Sequence, residues 1–201
     1  MKSNNSDEII CKTIICKTIV EQLTEFITGK ILEIGPLDGR FTEQFLQYTN
    51  NISVVEYDSG LCNVLREKFL GNITIYEEDA HLFLSRTNTH YDTVVLFGFL
   101  YHSHAPLAIV EDIVNNISPK YILLETWDMN CPVAIKEELI NITGWRWAHK
   151  KHCGLSITIN DFYYEKALDI LGYRLIKKFR SEDLIECASF KKGGIYMVFE
   201  K

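Results

Sequence analysis

Three carboxylates and two glycines in the first part of the chain fall at spacings that suit a nucleotide. Glu33 lies within the run Ile31-Leu32-Glu33-Ile34, which leads into Gly35-Pro36-Leu37-Asp38-Gly39; Glu56 follows 21 residues after Gly35, in Val54-Val55-Glu56, and Asp79 follows in Glu78-Asp79-Ala80. Glycine after a buried strand lets a ligand approach the backbone closely. A carboxylate can accept hydrogen bonds from both vicinal hydroxyls of a ribose, and another, one strand further on, can accept from a purine amino group. Any one such acid is more often a helix cap or a solvated charge. The ordered series at successive strand ends is what points to a ligand. Its spacing argues against a nicotinamide dinucleotide, because Leu37 stands where the second glycine of G-x-G-x-x-G would be.

A second group lies in Phe99-Leu100-Tyr101-His102-Ser103-His104-Ala105-Pro106. Imidazole is the side chain whose ordinary pKa suits proton transfer near neutrality, so His102, with Tyr101 and His104 behind it, is the candidate base or substrate contact. The structural alternative is a histidine that ties its loop down. His102-x-His104 supplies two metal ligands, but nothing in the sequence brings a third to them, and no metal is assigned. The stretch 128–159 gathers Trp145, Arg146, Trp147, His149, Lys150, Lys151 and His152 in an otherwise acidic chain. A long connection inside a domain is often functional, so Trp145, Arg146 and His149 are the candidate substrate contacts.

The elements that must position these residues follow from hydrophobic period. Ile15, Ile19, Leu23, Phe26 and Ile27 recur at helical spacing and Gly29 ends the pattern, which predicts an amphipathic helix over residues 8–28. Strand-like runs follow at 30–34, 52–56, 73–76, 91–97 and 121–126, with helix-like stretches at 40–48, 59–69, 80–86 and 106–117 between them. Runs as apolar as Thr-Val-Val-Leu-Phe suit strands covered on both faces, and the alternation implies parallel strands with right-handed crossovers. The expected fold is therefore α/β, a doubly wound and mostly parallel sheet with helices on both faces. A helix over 162–171 and two runs, 173–179 and 193–199, close enough to pair antiparallel, complete it.

Composition sets outer bounds. With 201 residues and 47% hydrophobic content the chain can bury one substantial core, so a single domain spanning 1–201 is expected. Within it, 30–127 would be the ligand-binding core, 128–159 the substrate segment and 160–201 the C-terminal helix and hairpin. The net charge of −6 gives the protein as a whole no reason to bind duplex DNA. Lys12, Lys17 and Glu21 interrupt the run from Ile9 to Val20 well short of a membrane span, and no signal-peptide pattern follows, so a cytoplasmic location is expected. The cysteines, at 11, 16, 62, 131, 153 and 187, include no C-x-x-C pair and are read as reduced.

On these motifs the chain resembles the class I S-adenosylmethionine-dependent methyltransferases. Glu33-Ile34-Gly35-Pro36-Leu37-Asp38-Gly39 is similar to their first motif, Val54 to Asp58 to the ribose-binding acid, Glu77 to Ala80 to the adenine-binding turn, and Tyr91 to His102 to the fourth-strand motif. The resemblance implies the strand order 3-2-1-4-5-7-6 with an antiparallel hairpin at the C-terminus, and S-adenosylmethionine as cofactor. It also implies that Glu33, Gly35 and Pro36 lie beside the methionine moiety, Gly39 opens the next helix and Glu56 holds the ribose. By the same likeness Tyr57 covers the adenine face, Asp79 and Ala80 meet its edge, and backbone at Phe97 and Gly98 faces the methionine amino group. Many members carry glycine where Leu37 stands. The stretch from Phe99 to Pro106 is similar to one found in methyltransferases that include tRNA wobble-uridine enzymes. The acceptor expected here is nonetheless a small molecule, because of the acidic charge; transfer RNA, and a binding domain without catalysis, are the alternatives.

Overall fold

The computed structural model describes residues 5–127, 159–184 and 194–201. Helix α1 (Asn5–Glu21) and a 3-10 turn (Thr24–Phe26) lead into β1 (Ile31–Ile34), then α2 (Arg40–Phe45), β2 (Ile52–Glu56), α3 (Ser59–Phe69), β3 (Thr74–Glu77), α4 (Ala80–Arg86) and β4 (Thr93–Leu96). A second 3-10 turn (Leu100–His102), α5 (Pro106–Asp112), β5 (Tyr121–Trp127), α6 (Asp161–Ile170), β6 (Arg174–Arg180) and β7 (Gly194–Glu200) follow. All seven strands form one sheet in the order β3-β2-β1-β4-β5-β7-β6, with β7 antiparallel to both neighbours. The fold is the doubly wound α/β sheet with a C-terminal antiparallel hairpin that the sequence implies.

Side-chain parity explains why the strands read as continuous apolar runs. Leu32, Ile34, Val94, Leu96, Ile122 and Leu124 face a core closed by α4, α5 and α6. Ile31, Val54, Val95, Phe97 and Leu123 face the opposite core, closed by α1, α2 and α3. Successive residues therefore meet apolar surface on both sides, as in other parallel sheets. The edges behave differently. In β6 the bases Arg174, Lys177, Lys178 and Arg180 pair with Glu200, Glu25, the Asp161 and Glu165 pair, and Glu182. A charged, bulged edge of this kind discourages a further strand from adding to it.

Helix α2 stops at Phe45 rather than at residue 48, and two helices depart further from the sequence expectation. The first ends at Glu21 rather than running to residue 28, because the chain must turn back to enter β1; the 3-10 turn buries Phe26 against Tyr121, ring centroids 5.3 Å apart, and Lys177 Nζ donates to the Gln22 carbonyl at 2.5 Å. The apolar period continues through the turn because both pieces face one core. The helix expected over 106–117 holds only to Asp112. Its last turn, Ile113–Ile117, widens to a π turn, with Ser118 N–H donating to the Ile113 carbonyl at 2.9 Å and Ser118 reversing at φ +52°.

Candidate active site

The C-terminal ends of β1, β2 and β3 bring the three acids to one rim. Glu33 pairs laterally with Val54, and Glu56 with Glu77, so each acid is carried by its strand to the same side of the sheet. Glu33 is 2% exposed and accepts a hydrogen bond of 2.5 Å from Thr42 Oγ1 of α2. Burial pushes its carboxyl up to about 7, against the lowering pull of Thr42 and the more distant Lys68. Glu56, at the end of β2, accepts from Asp58 N–H at 3.0 Å and from the N–H groups of Tyr57 and Leu37. Those bonds hold it between the glycine turn and its own turn. Burial still raises its carboxyl above the ordinary value.

The glycine turn is fixed from three sides. Gly35 N–H donates to the Val55 carbonyl at 2.9 Å, Gly39 N–H to Pro36 at 2.9 Å, and Lys68 of α3 donates to the Asp38 and Gly39 carbonyls at 3.2 and 3.4 Å. Gly35 has φ +71° and the ring of Phe99 lies over it, an added Cβ standing 2.8 Å from Phe99 Cδ2. Gly39 opens α2, as expected, and lets it approach α3. Leu37 has φ +55° and is 59% exposed, so it takes a left-handed conformation that glycine adopts freely. That conformation costs a leucine about 1–2 kcal/mol. Leu37→Gly is therefore expected to leave the denaturation midpoint unchanged or raised, relief of strain offsetting glycine's extra unfolded-state freedom of about 1 kcal/mol. A loss above about 1.5 kcal/mol would show that the leucine side chain has a packing role instead.

Asp79 is a helix cap, the alternative weighed from sequence. Its Oδ1 accepts from His81 N–H at 2.9 Å and Leu82 N–H at 3.2 Å. The neighbouring acids are held by arginines, Glu77 by Arg66 at 2.6 Å and Glu78 by Arg86. Asp79 thus fixes the Asp79-Ala80 turn at the start of α4 through Oδ1. Tyr57 stands beside Glu56 with its ring 52% exposed, a flat apolar face at the rim.

Beyond β4, residues Leu100–His102 form the 3-10 turn, with His102 N–H donating to the Phe99 carbonyl at 2.9 Å. Tyr101 and His102 have ring centroids 4.6 Å apart. His104 leans over His81, centroids 5.2 Å apart, and Ser103 Oγ lies 3.4 Å from His81 Nε2, so this loop is fastened to the start of α4 next to Asp79. Trp145, Arg146 and His149, with the rest of 128–158, lie outside the described residues.

Sequence reasoning missed a buried polar group beside this rim. Cys16 of α1 is 7% exposed and sits near Arg40, Glu125, Asp38 and Glu33; burial pushes its thiol up to about 12. Helix α1 is therefore a cover over the first-motif end of the sheet. Cys16 and Cys62 are both unpaired, as expected of reduced thiols.

The fold matches known proteins. In solved structures it is similar to magnesium protoporphyrin IX methyltransferase from Synechocystis PCC 6803 (TM-score 0.72, 12% identity, 100% of this chain and 89% of that one). It is similar also to a SAM-dependent methyltransferase from Archaeoglobus fulgidus (TM-score 0.70, 14% identity, 94% of each chain). A family model described as ribosomal RNA adenine dimethylase matches residues 2–141. The chain belongs to that family. That family is one of the class I S-adenosylmethionine-dependent methyltransferases, for which S-adenosylmethionine is the methyl donor. Among curated relatives, ribosomal RNA small subunit methyltransferase A of Fusobacterium nucleatum is 32% identical over 127 residues, covering 61% of this chain and 45% of that protein. The protein of the same name from Coxiella burnetii is 29% identical over 110 residues, covering 53% and 43%. The chain thus spans less than half the length of the curated relatives it matches. Family membership overturns the small-molecule acceptor, and with it the small-molecule partner, expected from the net charge. Net charge averages over the whole surface and does not report where positive groups gather, so it was a weak guide to the acceptor. Among the described residues no helix is long and apolar enough to cross a membrane.

Proposed function

We propose that the protein methylates an adenine amino nitrogen of ribosomal RNA, using S-adenosylmethionine. The family match over residues 2–141 carries this reading, and the rim supports it. The donor set fits an adenosyl group: Glu56 suits the ribose hydroxyls, the exposed Tyr57 ring suits a purine face, and Asp79 with Ala80 suits its edge. Glu33, Gly35, Pro36 and Gly39, with backbone at Phe97 and Gly98, would hold the methionine end. The cofactor supplies a methyl group on a cationic sulfur, which leaves as a neutral thioether, so no anion needs stabilising on the leaving group. What this chain must do is position the acceptor in line and keep water out. We place the acceptor at the loop of Tyr101, His102 and His104, and assign 128–159, with Trp145, Arg146 and His149, to acceptor binding within one catalytic domain spanning 1–201 and built on the 30–127 core.

The test is transfer of labelled methyl from S-adenosylmethionine to small-subunit ribosomal RNA, transfer RNA and a panel of small amines and alcohols. Label in ribosomal RNA, released on digestion as N6-methylated adenosine, is the expected result, with affinity falling as salt rises. Label only in small molecules would overturn it.

A further inference from the structure

Glu125 is a carboxylate to which none of the sequence motifs assigns a role. It is the fifth residue of β5, and register sets its place. Leu96 pairs with Leu124 and Glu33 with Val95, so one step toward the rim Phe97 stands between Gly35 on one side and Glu125 on the other. Two strand spacings, roughly 10 Å, thus separate Glu125 from the glycine turn, on the sheet face covered by α1 and α2. Its carboxylate accepts from Gly98 N–H and the Tyr196 hydroxyl, and the residue as a whole is half-buried. Oε2 lies 3.9 Å, and the Tyr101 hydroxyl 3.5 Å, from the point a Cβ on Gly98 would occupy, so both converge on the loop after β4. An ionised carboxylate has about four acceptor positions, and the described residues Gly98 and Tyr196 account for two of them. Spare acceptor capacity in a largely buried carboxylate calls for a donor.

We propose that Glu125 holds the exocyclic amino group of the acceptor base by accepting one of its N–H bonds, and then takes up the proton that this nitrogen gives off. The proposal rests on the amine-acceptor reading above. The nitrogen lone pair forms the bond to the methyl carbon as the carbon–sulfur bond breaks, sulfur keeps that electron pair, and one N–H proton passes to a Glu125 oxygen and on to water. Burial raises this carboxyl to about 7, which suits a group that must accept and release a proton near neutrality.

The experiment uses the full chain saturated with S-adenosylhomocysteine, which occupies the cofactor site, and titrates it with adenosine and with purine riboside, the same nucleoside without the amino group. Wild type is expected to favour adenosine about fivefold or more, and Glu125→Gln to lose that preference while binding purine riboside and S-adenosylhomocysteine as before. Glutamine keeps the shape of the side chain but replaces one acceptor oxygen with an NH2 donor, so the acceptor capacity offered to the ligand is lost. Wild type alone gives a second reading: the preference should fade as pH falls through about 7. Among the described residues, the titratable and charged groups around Glu125 are Tyr196 of β7, Tyr101 of the loop and Cys16 of α1, with Arg40, Asp38 and Glu33 beyond Cys16; Glu33 also changes charge near 7, so the same fade must persist in Glu33→Gln. No preference in wild type, or preference kept in Glu125→Gln, overturns the proposal. Preference present and lost as described, with ribosomal RNA left unmethylated, sinks the RNA reading and not this one. RNA methylated by Glu125→Gln with unchanged kcat and KM does the reverse.

Discussion

Gly39→Ala is expected to destabilise the protein by about 2–4 kcal/mol and to weaken cofactor binding with it. Gly39 has φ +73°, where any side chain is strained, and an added Cβ would stand 2.5 Å from Phe69 Cε2 and 2.8 Å from Leu65 Cδ2. Both neighbours are buried in α3, and Leu65 is wholly enclosed, so relief requires α2 to move away from α3. That movement carries Thr42 off Glu33 and loosens the turn that Lys68 clamps. Denaturant titration reads the loss directly, and a drop of less than about 1 kcal/mol would show that the helices are not held as tightly as the contact distances imply.

Glu33→Gln should stabilise the cofactor-free protein at pH 8 by about 3 kcal/mol and have little effect at pH 4. The carboxyl titrates at 4.5 when unfolded and at about 7 in the fold, so the native state holds its proton more tightly. Below 4.5 the group is neutral in both states. Between 4.5 and 7 wild type progressively loses stability as pH rises, and above 7 the full cost of a buried charge is in place. Glutamine keeps an oxygen for Thr42 Oγ1 and carries no charge, so the variant's stability should lack this decline. Thermal unfolding from pH 4 to 8 checks it: parallel curves for the two proteins would mean that Glu33 stays ionised at little cost. The same substitution should weaken cofactor binding, since a stabilising change at a site built for ligand removes a group the ligand uses.

These two residues also show what was legible in the sequence. The parallel core announced itself because strands such as β4 and β5 are apolar on both faces, and the turn from Gly35 to Gly39 because glycine is demanded there by backbone geometry. The place of Glu56, at the end of β2 beside that turn, was readable from its distance to it. Other features depend on register or direction, which one-dimensional spacing does not carry. Glu125 sits in a run that reads as ordinary buried strand; only its alignment with Phe97 and Tyr196 brings its carboxylate to the acceptor loop. Helix α1 ends seven residues early because a change of direction into β1 leaves the apolar period intact. Asp79 looks the same in sequence whether it caps α4 or meets a ligand, and the fold shows the cap. The acceptor was misjudged because net charge is a property of the whole surface, while recognition is local.

The proposed adenosyl site at the ends of β1, β2 and β3 depends on Glu56 as its ribose acid. Calorimetric titration of wild type and Glu56→Ala with S-adenosylmethionine and S-adenosylhomocysteine tests it most directly. Both ligands should bind wild type, and the substitution should weaken each by about 1.5–3 kcal/mol, roughly 10- to 150-fold in Kd. Equal affinities in the two proteins, or no binding by a folded wild type, would contradict it.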